Sequence, residues 1–431
     1  MNIDKHVSLN INIRGLNQSP TIAINERSKK LECEGHKIYR LGLGQSPFPV
    51  PSSVVRALKM HAHEKDYLPS RGLPELCKTV AEFHRRKDQL NVQPQNVLIG
   101  PGSKELMFLL QLVFYGEIIL PTPCWVSYAP QAKILGKKVK LIHTSFENKW
   151  RVTPEQLEEF FKSEHDVYMP RIFVLTYPSN PDGGSYSVDE LKKIAEIARK
   201  YEVILLSDEI YGQLHYRGEH VSVAKFYPEG TIVSSGLSKW CGAGGWRLGT
   251  FAFPSELSWL MDAMVSVASE TYTSVSAPIQ YAAIRAFKGG IKIERYLWHV
   301  RRILENLSKQ CIEILKQRGI RVHSPVGGFY LFIDFTPVVD RLAKKGITNS
   351  AILCERLLQE TGVAILPGVE FQRPVKELTA RLAYVDFDGA RVLAASETIP
   401  LDQKLPNKII QTNCENVIEA TKKIADWISK D

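Results

Sequence analysis

The middle of the chain repeats one pattern, a short wholly apolar run followed by a longer amphipathic stretch, and this pattern limits the fold more than any other feature. Ile172-Phe-Val-Leu-Thr-Tyr177 precedes a stretch over 187–200 that reads as a helix starting near Ser187. Val203-Ile-Leu-Leu-Ser207 follows and ends at Asp208, and Thr231-Ile-Val-Ser-Ser235 stops just before Lys239. Upstream, Asn96-Val-Leu-Ile99 reads as a strand that runs through Gly100-Pro-Gly102 into a helix over 103–113. A strand apolar at successive positions, without alternation, has no face to give to water. Such strands separated by helices predict an α/β fold, a mainly parallel sheet covered on both sides in three αβα layers. Gly327-Gly-Phe-Tyr-Leu-Phe-Ile333 reads as a strand of a second, smaller α+β unit, followed by a helix over 349–361. The change of unit is placed near residue 300, inside a helical stretch over 291–317. The large unit is then 56–300, and residues 1–55 pack with 301–431.

Composition narrows the class. The chain has 431 residues, 44% of them hydrophobic, enough for a large core and more than one unit. Lys and Arg exceed Asp and Glu by 55 to 46, with no basic block of the kind that marks a nucleic-acid arm, so no nucleic-acid partner is expected. Seven scattered cysteines without a CxxC pair point to reduced thiols in a cytoplasmic protein, with no disulfide framework and no metal site. Residues 1–15 lack the apolar core of a secretory signal. The most apolar stretch, 106–120, is broken by Gln111, Gly116 and Glu117 and is too short to span a bilayer, so no membrane partner is expected.

In doubly wound sheets, ligands bind at the carboxyl ends of the strands. Four such ends carry distinctive polar residues. Gly100-Pro-Gly-Ser103-Lys104 is a strand-to-helix turn whose free N–H groups suit an anion, although the pattern alone also fits a structural turn. Tyr177-Pro-Ser-Asn180-Pro181-Asp-Gly-Gly184 puts an amide on a proline-fixed turn, and it too can be only a turn. Ser207-Asp208-Glu209-Ile-Tyr211 follows a buried strand, where a carboxylate needs a partner. That partner is either a helix end or a cationic ring nitrogen. Gly236-Leu-Ser238-Lys239-Trp-Cys-Gly242-Ala-Gly-Gly245-Trp246-Arg247-Leu-Gly249 sets a lysine among glycines and aromatics. Partial burial there lowers its pKa and makes it a usable nucleophile, and Arg247 offers a fork suited to phosphate.

In this order the four segments resemble fold type I pyridoxal-phosphate enzymes, specifically the class I/II aminotransferase family. Residues 236–249 fit that family's lysine-attachment pattern at Lys239, Gly242, Gly245, Arg247 and Gly249. Leu43-Gly44-Gln-Ser-Pro-Phe48 is similar to its segment over the substrate. Asp66-Tyr67-Leu-Pro-Ser-Arg-Gly72-Leu-Pro-Glu-Leu76 resembles its Tyr-x-Pro-x-x-Gly-x-x-x-Leu, and Pro121-Thr-Pro-Cys-Trp125-Val-Ser-Tyr128 its aromatic loop. Leu366-Pro-Gly368 and Arg381-Leu382 match its closing segment, so the likeness runs roughly from residue 11 to 384. The resemblance implies a seven-stranded sheet, pyridoxal 5'-phosphate as cofactor, and amino-group transfer from an L-amino acid to a 2-oxo acid through a Lys239 aldimine. It implies that Lys239 also moves the Cα proton and that Asp208 pairs with the ring nitrogen. Asn180 and Tyr211 would bond the phenolic oxygen, and Trp125 would stack on the ring. Gly102, Ser103, Lys104, Ser238 and Arg247 would cradle the phosphate, with Tyr67 reaching the phosphate of the neighbouring subunit of a homodimer. Arg381, with Gly44, Trp125 and Asn180, would hold the substrate.

This sequence departs from the family at several points. Gly236 stands where a phosphate-binding hydroxyl is usual, leaving Ser235 or Ser238 as substitutes. The usual Asn-Pro-Thr-Gly reads Asn180-Pro-Asp182-Gly183, and residues 387–412 resemble an insertion without a role. Neither 105–114 nor 265–284 contains Lys or Arg, so a neutral or aromatic donor is expected over aspartate. Three rivals stand beside the main reading. A C–S lyase or other β-eliminating enzyme would use the same residues. A transcription regulator would need a DNA-binding unit ahead of the match, and only about ten residues precede it. A dead homologue is opposed by the intact Lys239, Asp208, Asn180 and Arg247.

Overall fold

The structure is a computed structural model that describes residues 8–164, 166 and 168–429. The expectations for residues 1–7, the start of both the small unit and the segment read for a signal, lie outside the described residues, as do those for 430–431.

In chain order the strands are β1 (Tyr39–Arg40), β2 (Val97–Gly100), β3 (Glu117–Thr122), β4 (Val139–His143), β5 (Arg171–Thr176), β6 (Ile204–Asp208), β7 (Thr231–Gly236), β8 (Gly249–Ala252), β9 (Arg321–Val322), β10 (Tyr330–Asp334), β11 (Val363–Ala364), β12 (Leu366–Pro367) and β13 (Thr379–Ala383). Seven of them form the main sheet in the order β2-β8-β7-β6-β5-β3-β4, with β8 antiparallel to both its neighbours. The other pairings in that sheet are parallel.

The layers follow from side-chain alternation on strands buried on both faces. Ile118, Leu120, Ile172, Val174 and Leu206 share one core with residues of the helices Ser103–Val113 and Ser258–Glu270. Ile119, Phe173, Leu175 and Leu205 point the other way, into a core with the helices Pro154–Ser163 and Val188–Lys200. Both of these last helices begin in capping boxes, Thr153 with Gln156 and Ser187 with Glu190. Such caps satisfy N–H groups that the first turn leaves free, typically worth about 1 kcal/mol.

A second, antiparallel sheet has the order β12-β13-β10-β9. β1 pairs parallel with β11, and Arg27 of the helix Pro20–Cys33 meets Glu355 at 2.6 Å, which ties the N-terminal segment to residues beyond 350. The residue expected as a boundary, Val300, lies within the continuous helix Ile291–Lys316.

One reading needs correction. The strand expected over 327–333 begins only at Tyr330. Gly327 instead passes so close to another loop that an added Cβ would lie 2.9 Å from the Leu214 carbonyl, and Gly328 has φ +69°. The helix expected over 103–113 ends at Val113, and β3 begins at Glu117, where the apolar stretch is interrupted. Within 387–412 lies the helix Gly389–Glu397, and the helix Asn407–Asn413 begins there.

Candidate active site

The carboxyl ends of β2, β5, β6 and β7 open on one place. At its floor Gly100, Gly249 and Gly236 lie side by side across β2, β8 and β7. A Cβ on Gly249 would sit 2.2 Å from the Ser103 nitrogen, so this glycine lets β8 reach the start of the helix Ser103–Val113. Gly236 is similarly confined, with Leu248 O at 2.8 Å from any added Cβ, which explains why no hydroxyl side chain stands there. Ser234 fills a different role from that expected of its neighbours. It lies opposite Asp208 in the register, and its Oγ donates to Asp208 Oδ1 at 3.4 Å.

Gly102, with φ +94°, caps the helix whose first residues are Ser103 and Lys104. Arg247, held in the left-handed region at φ +54°, folds its exposed guanidinium over this turn, donating to Pro101 O at 3.2 Å and Gly244 O at 2.9 Å. Lys104 stands 5.2 Å from the Trp125 ring, and burial together with Arg247 lowers its pKa. A helix start with free N–H groups, two cations and a glycine floor can bind a phosphate.

Asp208 closes β6 as a buried carboxylate. Tyr128 donates to its Oδ2 at 2.6 Å, and Ile210 N lies 3.4 Å from Oδ1. Burial pushes its pKa up to about 6, against these neutral donors. Immediately behind, Glu209 pairs with buried His220 at 2.7 Å and accepts from Ser222 at 2.6 Å and Ser207 at 2.8 Å. Desolvation opposes its charge, but His220 together with the Ser222 and Ser207 hydroxyls holds the Glu209 carboxyl below its usual range.

Lys239 Nζ donates to the Gly44 carbonyl at 2.7 Å and stands 5.5 Å from the Tyr211 ring. Burial lowers its pKa to about 7, and Arg381, Arg247 and Lys104 push the same way against Asp208. Arg381 is 1% exposed. Its Nη1 donates to Asn180 Oδ1 at 3.0 Å and its Nη2 to Gly42 O, while its Nε has no partner among the described residues. Tyr67 is 90% exposed and lies apart from this group, and Ser238 is half-buried beside Lys239.

Sequence reading brought these residues together but missed Tyr128, Ser234 and Tyr330. Tyr128 stands three residues after Trp125 and meets its ring edge-on at 5.2 Å between centroids, so the aromatic spacing held a usable signal. Tyr330 was hidden in an apolar run. A tyrosine there is itself a clue, because a buried hydroxyl needs a partner.

A lysine of lowered pKa, a buried carboxylate, a helix start flanked by two cations and a buried arginine stand together here. The chain belongs to the class I and II aminotransferase family, whose pattern matches residues 36–386. It is a pyridoxal 5'-phosphate-dependent aminotransferase, moving an amino group from an amino acid to a 2-oxo acid. It is similar to an aspartate aminotransferase of Bacillus sp. (strain YM-2), 32% identical over 384 residues, 86% of this chain and 93% of the relative. An asparagine–oxo-acid transaminase of Streptococcus mutans is also 32% identical, over 86% of this chain and 92% of its own. The aspartate aminotransferase of Thermus thermophilus, solved with maleate, superposes with a TM-score of 0.81 at 26% identity, covering 96% of this chain and 99% of that one. No helix among the described residues is long and apolar enough to cross a membrane.

Proposed function

We propose that Lys239 carries the cofactor and moves the substrate proton, with Asp208 facing the ring nitrogen. Asn180 and Tyr211 bond the phenolic oxygen, and Trp125 lies against the ring. The observation that carries this reading is Asp208, a buried carboxylate whose hydrogen-bond donors among the described residues are all neutral. A cationic ring nitrogen is the partner such a group lacks. Gly102, Ser103, Lys104, Ser238 and Arg247 hold the phosphate. Arg381, with Gly44 and Asn180 beside it, takes the substrate α-carboxylate, a reading supported by its Nε, which has no partner among the described residues.

Bound there, pyridoxal phosphate supplies the electron sink for the pair left when Cα loses its proton. Lys239 Nζ is the base. With a pKa of about 7 it is about half neutral at neutral pH and basic enough to accept that proton. Arg381 fixes the carboxylate, so Cα is presented to Nζ in one orientation. Neither 105–114 nor 265–284 offers a Lys or Arg for a second carboxylate, which supports a neutral or aromatic donor. The relatives' names favour aspartate as the second reading. A spectroscopic screen of the half-reaction with single amino acids tests both. Bleaching of the visible band by phenylalanine or alanine but not aspartate is expected, and the reverse order defeats the donor assignment. A purified protein that is colourless and takes up no added pyridoxal phosphate defeats the residue roles.

Residues 56–300 are proposed as the cofactor unit, and 1–55 with 301–431 as the smaller one; the pairing of β1 with β11 supports this division. A homodimer sharing its sites through Tyr67 is supported by that side chain's nine-tenths exposure. Seven free cysteines favour the cytoplasm.

A further inference from the structure

Tyr330 touches three residues to which the site reading gives roles, and it has none itself. It lies on β10 opposite Ala383 and is 1% exposed. Its hydroxyl is 2.7 Å from the Tyr211 hydroxyl. Its ring centroid is 4.7 Å from the Arg381 guanidinium carbon, with Phe371 at 5.0 Å from that carbon. Gly44 packs on it so closely that a Cβ there would fall 1.9 Å from the Tyr330 oxygen.

Two hydroxyls that share one hydrogen bond hold two protons, and only one lies between them. If Tyr330 donates, the Tyr211 proton is free for a third atom. Burial raises both phenols above their usual pKa, so both protons are retained at neutral pH. A donor that itself accepts a hydrogen bond is polarised and donates more strongly. The ring is a separate device, since a guanidinium over an aromatic face keeps its plane while its N–H groups stay free for a carboxylate.

We propose that Tyr330 is a positioning residue with two separable functions. Its hydroxyl donates to Tyr211 and aims the Tyr211 proton at the cofactor's phenolic oxygen, and its ring backs Arg381 for the substrate carboxylate. This rests on the roles given above to Tyr211 and Arg381.

Three variants of the cofactor-loaded enzyme separate the parts: Tyr330→Phe, which keeps the ring, Tyr330→Leu, which removes both, and Tyr211→Phe as reference. The first measurement is the pH midpoint of the visible absorbance. The second is the dissociation constant of maleate or 3-phenylpropanoate, whichever binds the unaltered enzyme more tightly. Losing a donor to the phenolic oxygen makes the cofactor's imine nitrogen more basic, so Tyr211→Phe raises the midpoint. Tyr330→Phe raises it in the same direction by about 0.2 to 0.4 units, as expected for a cooperative strengthening of about 10–30%, with carboxylate binding unchanged within about twofold. Tyr330→Leu also weakens carboxylate binding, by roughly five- to thirtyfold from the loss of the cation–π contact. A Tyr330→Phe midpoint equal to that of the unaltered enzyme, while Tyr211→Phe moves it, overturns the hydroxyl half. Carboxylate binding unchanged in Tyr330→Leu overturns the ring half. A midpoint that Tyr211→Phe itself leaves in place removes the underlying reading of Tyr211. A merely structural Tyr330 moves thermal stability and not this midpoint.

Discussion

Replacing Gly102 with alanine tests the phosphate cradle through a single methyl group. The Cβ would lie 2.1 Å from Arg247 Nη2 and 2.8 Å from Cζ, at a backbone φ of +94° that a side chain disfavours. Backbone strain of this kind is typically about 1–3 kcal/mol. The larger effect falls on Arg247, because the guanidinium must leave the turn where it meets Pro101 O at 3.2 Å. A hydrogen bond from a charged donor contributes about 1.5–3 kcal/mol, so losing it lowers cofactor affinity roughly 10- to 150-fold. The assay is equilibrium dissociation of pyridoxal phosphate, followed by visible absorbance, in Gly102→Ala, Arg247→Met and the double variant. If the methyl acts through Arg247, the double variant is little worse than Arg247→Met alone, since coupled sites do not add. Fully additive losses, or an unchanged dissociation constant in Gly102→Ala, would refute the reasoning.

The pH profile of the half-reaction should rise through about 7 as Lys239 loses its proton, and Arg381→Met should move that midpoint up by removing a depressing charge; single-turnover rates from pH 5 to 9 read both. Asp208→Asn keeps a hydrogen-bond acceptor for Tyr128 but lacks the anion, so the half-reaction should slow by about 100-fold or more while the protein still binds cofactor. Asp182 is buried, with Oδ1 unpartnered among the described residues and a pKa raised from 3.8 to about 6. The native state therefore holds its proton longer than the unfolded state, and this carboxyl subtracts stability as pH rises through 6. Asp182→Asn should stabilise by up to about 3 kcal/mol at pH 7.5 and by almost nothing at pH 4, read as unfolding midpoints at the two pH values. His220→Leu strands Glu209 in the interior, and denaturant unfolding should register a loss of about 3–5 kcal/mol.

The main sheet was legible at β2, β5, β6 and β7, each an isolated apolar run, but not at β3, which is as buried and closely follows an apolar helix. The apolar runs ending at Asp208 and just before Lys239 mark β6 and β7 to within a residue. β4 was not read because its side chains are mostly half-buried, and β8 because Gly249-Thr-Phe-Ala252 is short and begins with glycine. Ser187 marked its helix because a capping box is a local code. Tyr330 could not be found in that way. Its hydroxyl partner Tyr211 is 119 residues away, and nothing local to either tyrosine encodes the pair.

The place of β8 in the sheet also bears on how the molecule is made. β8 sits between β7 and β2, and β2 is finished some 150 residues earlier in the chain. Gly100 and Gly249 become neighbours only when that distant pairing closes. Contacts of such separation form slowly because a long loop must be closed first. A chain emerging from the ribosome can thus order the β3–β6 layer while the phosphate cradle is still in two pieces. Cofactor capture then belongs to the end of folding.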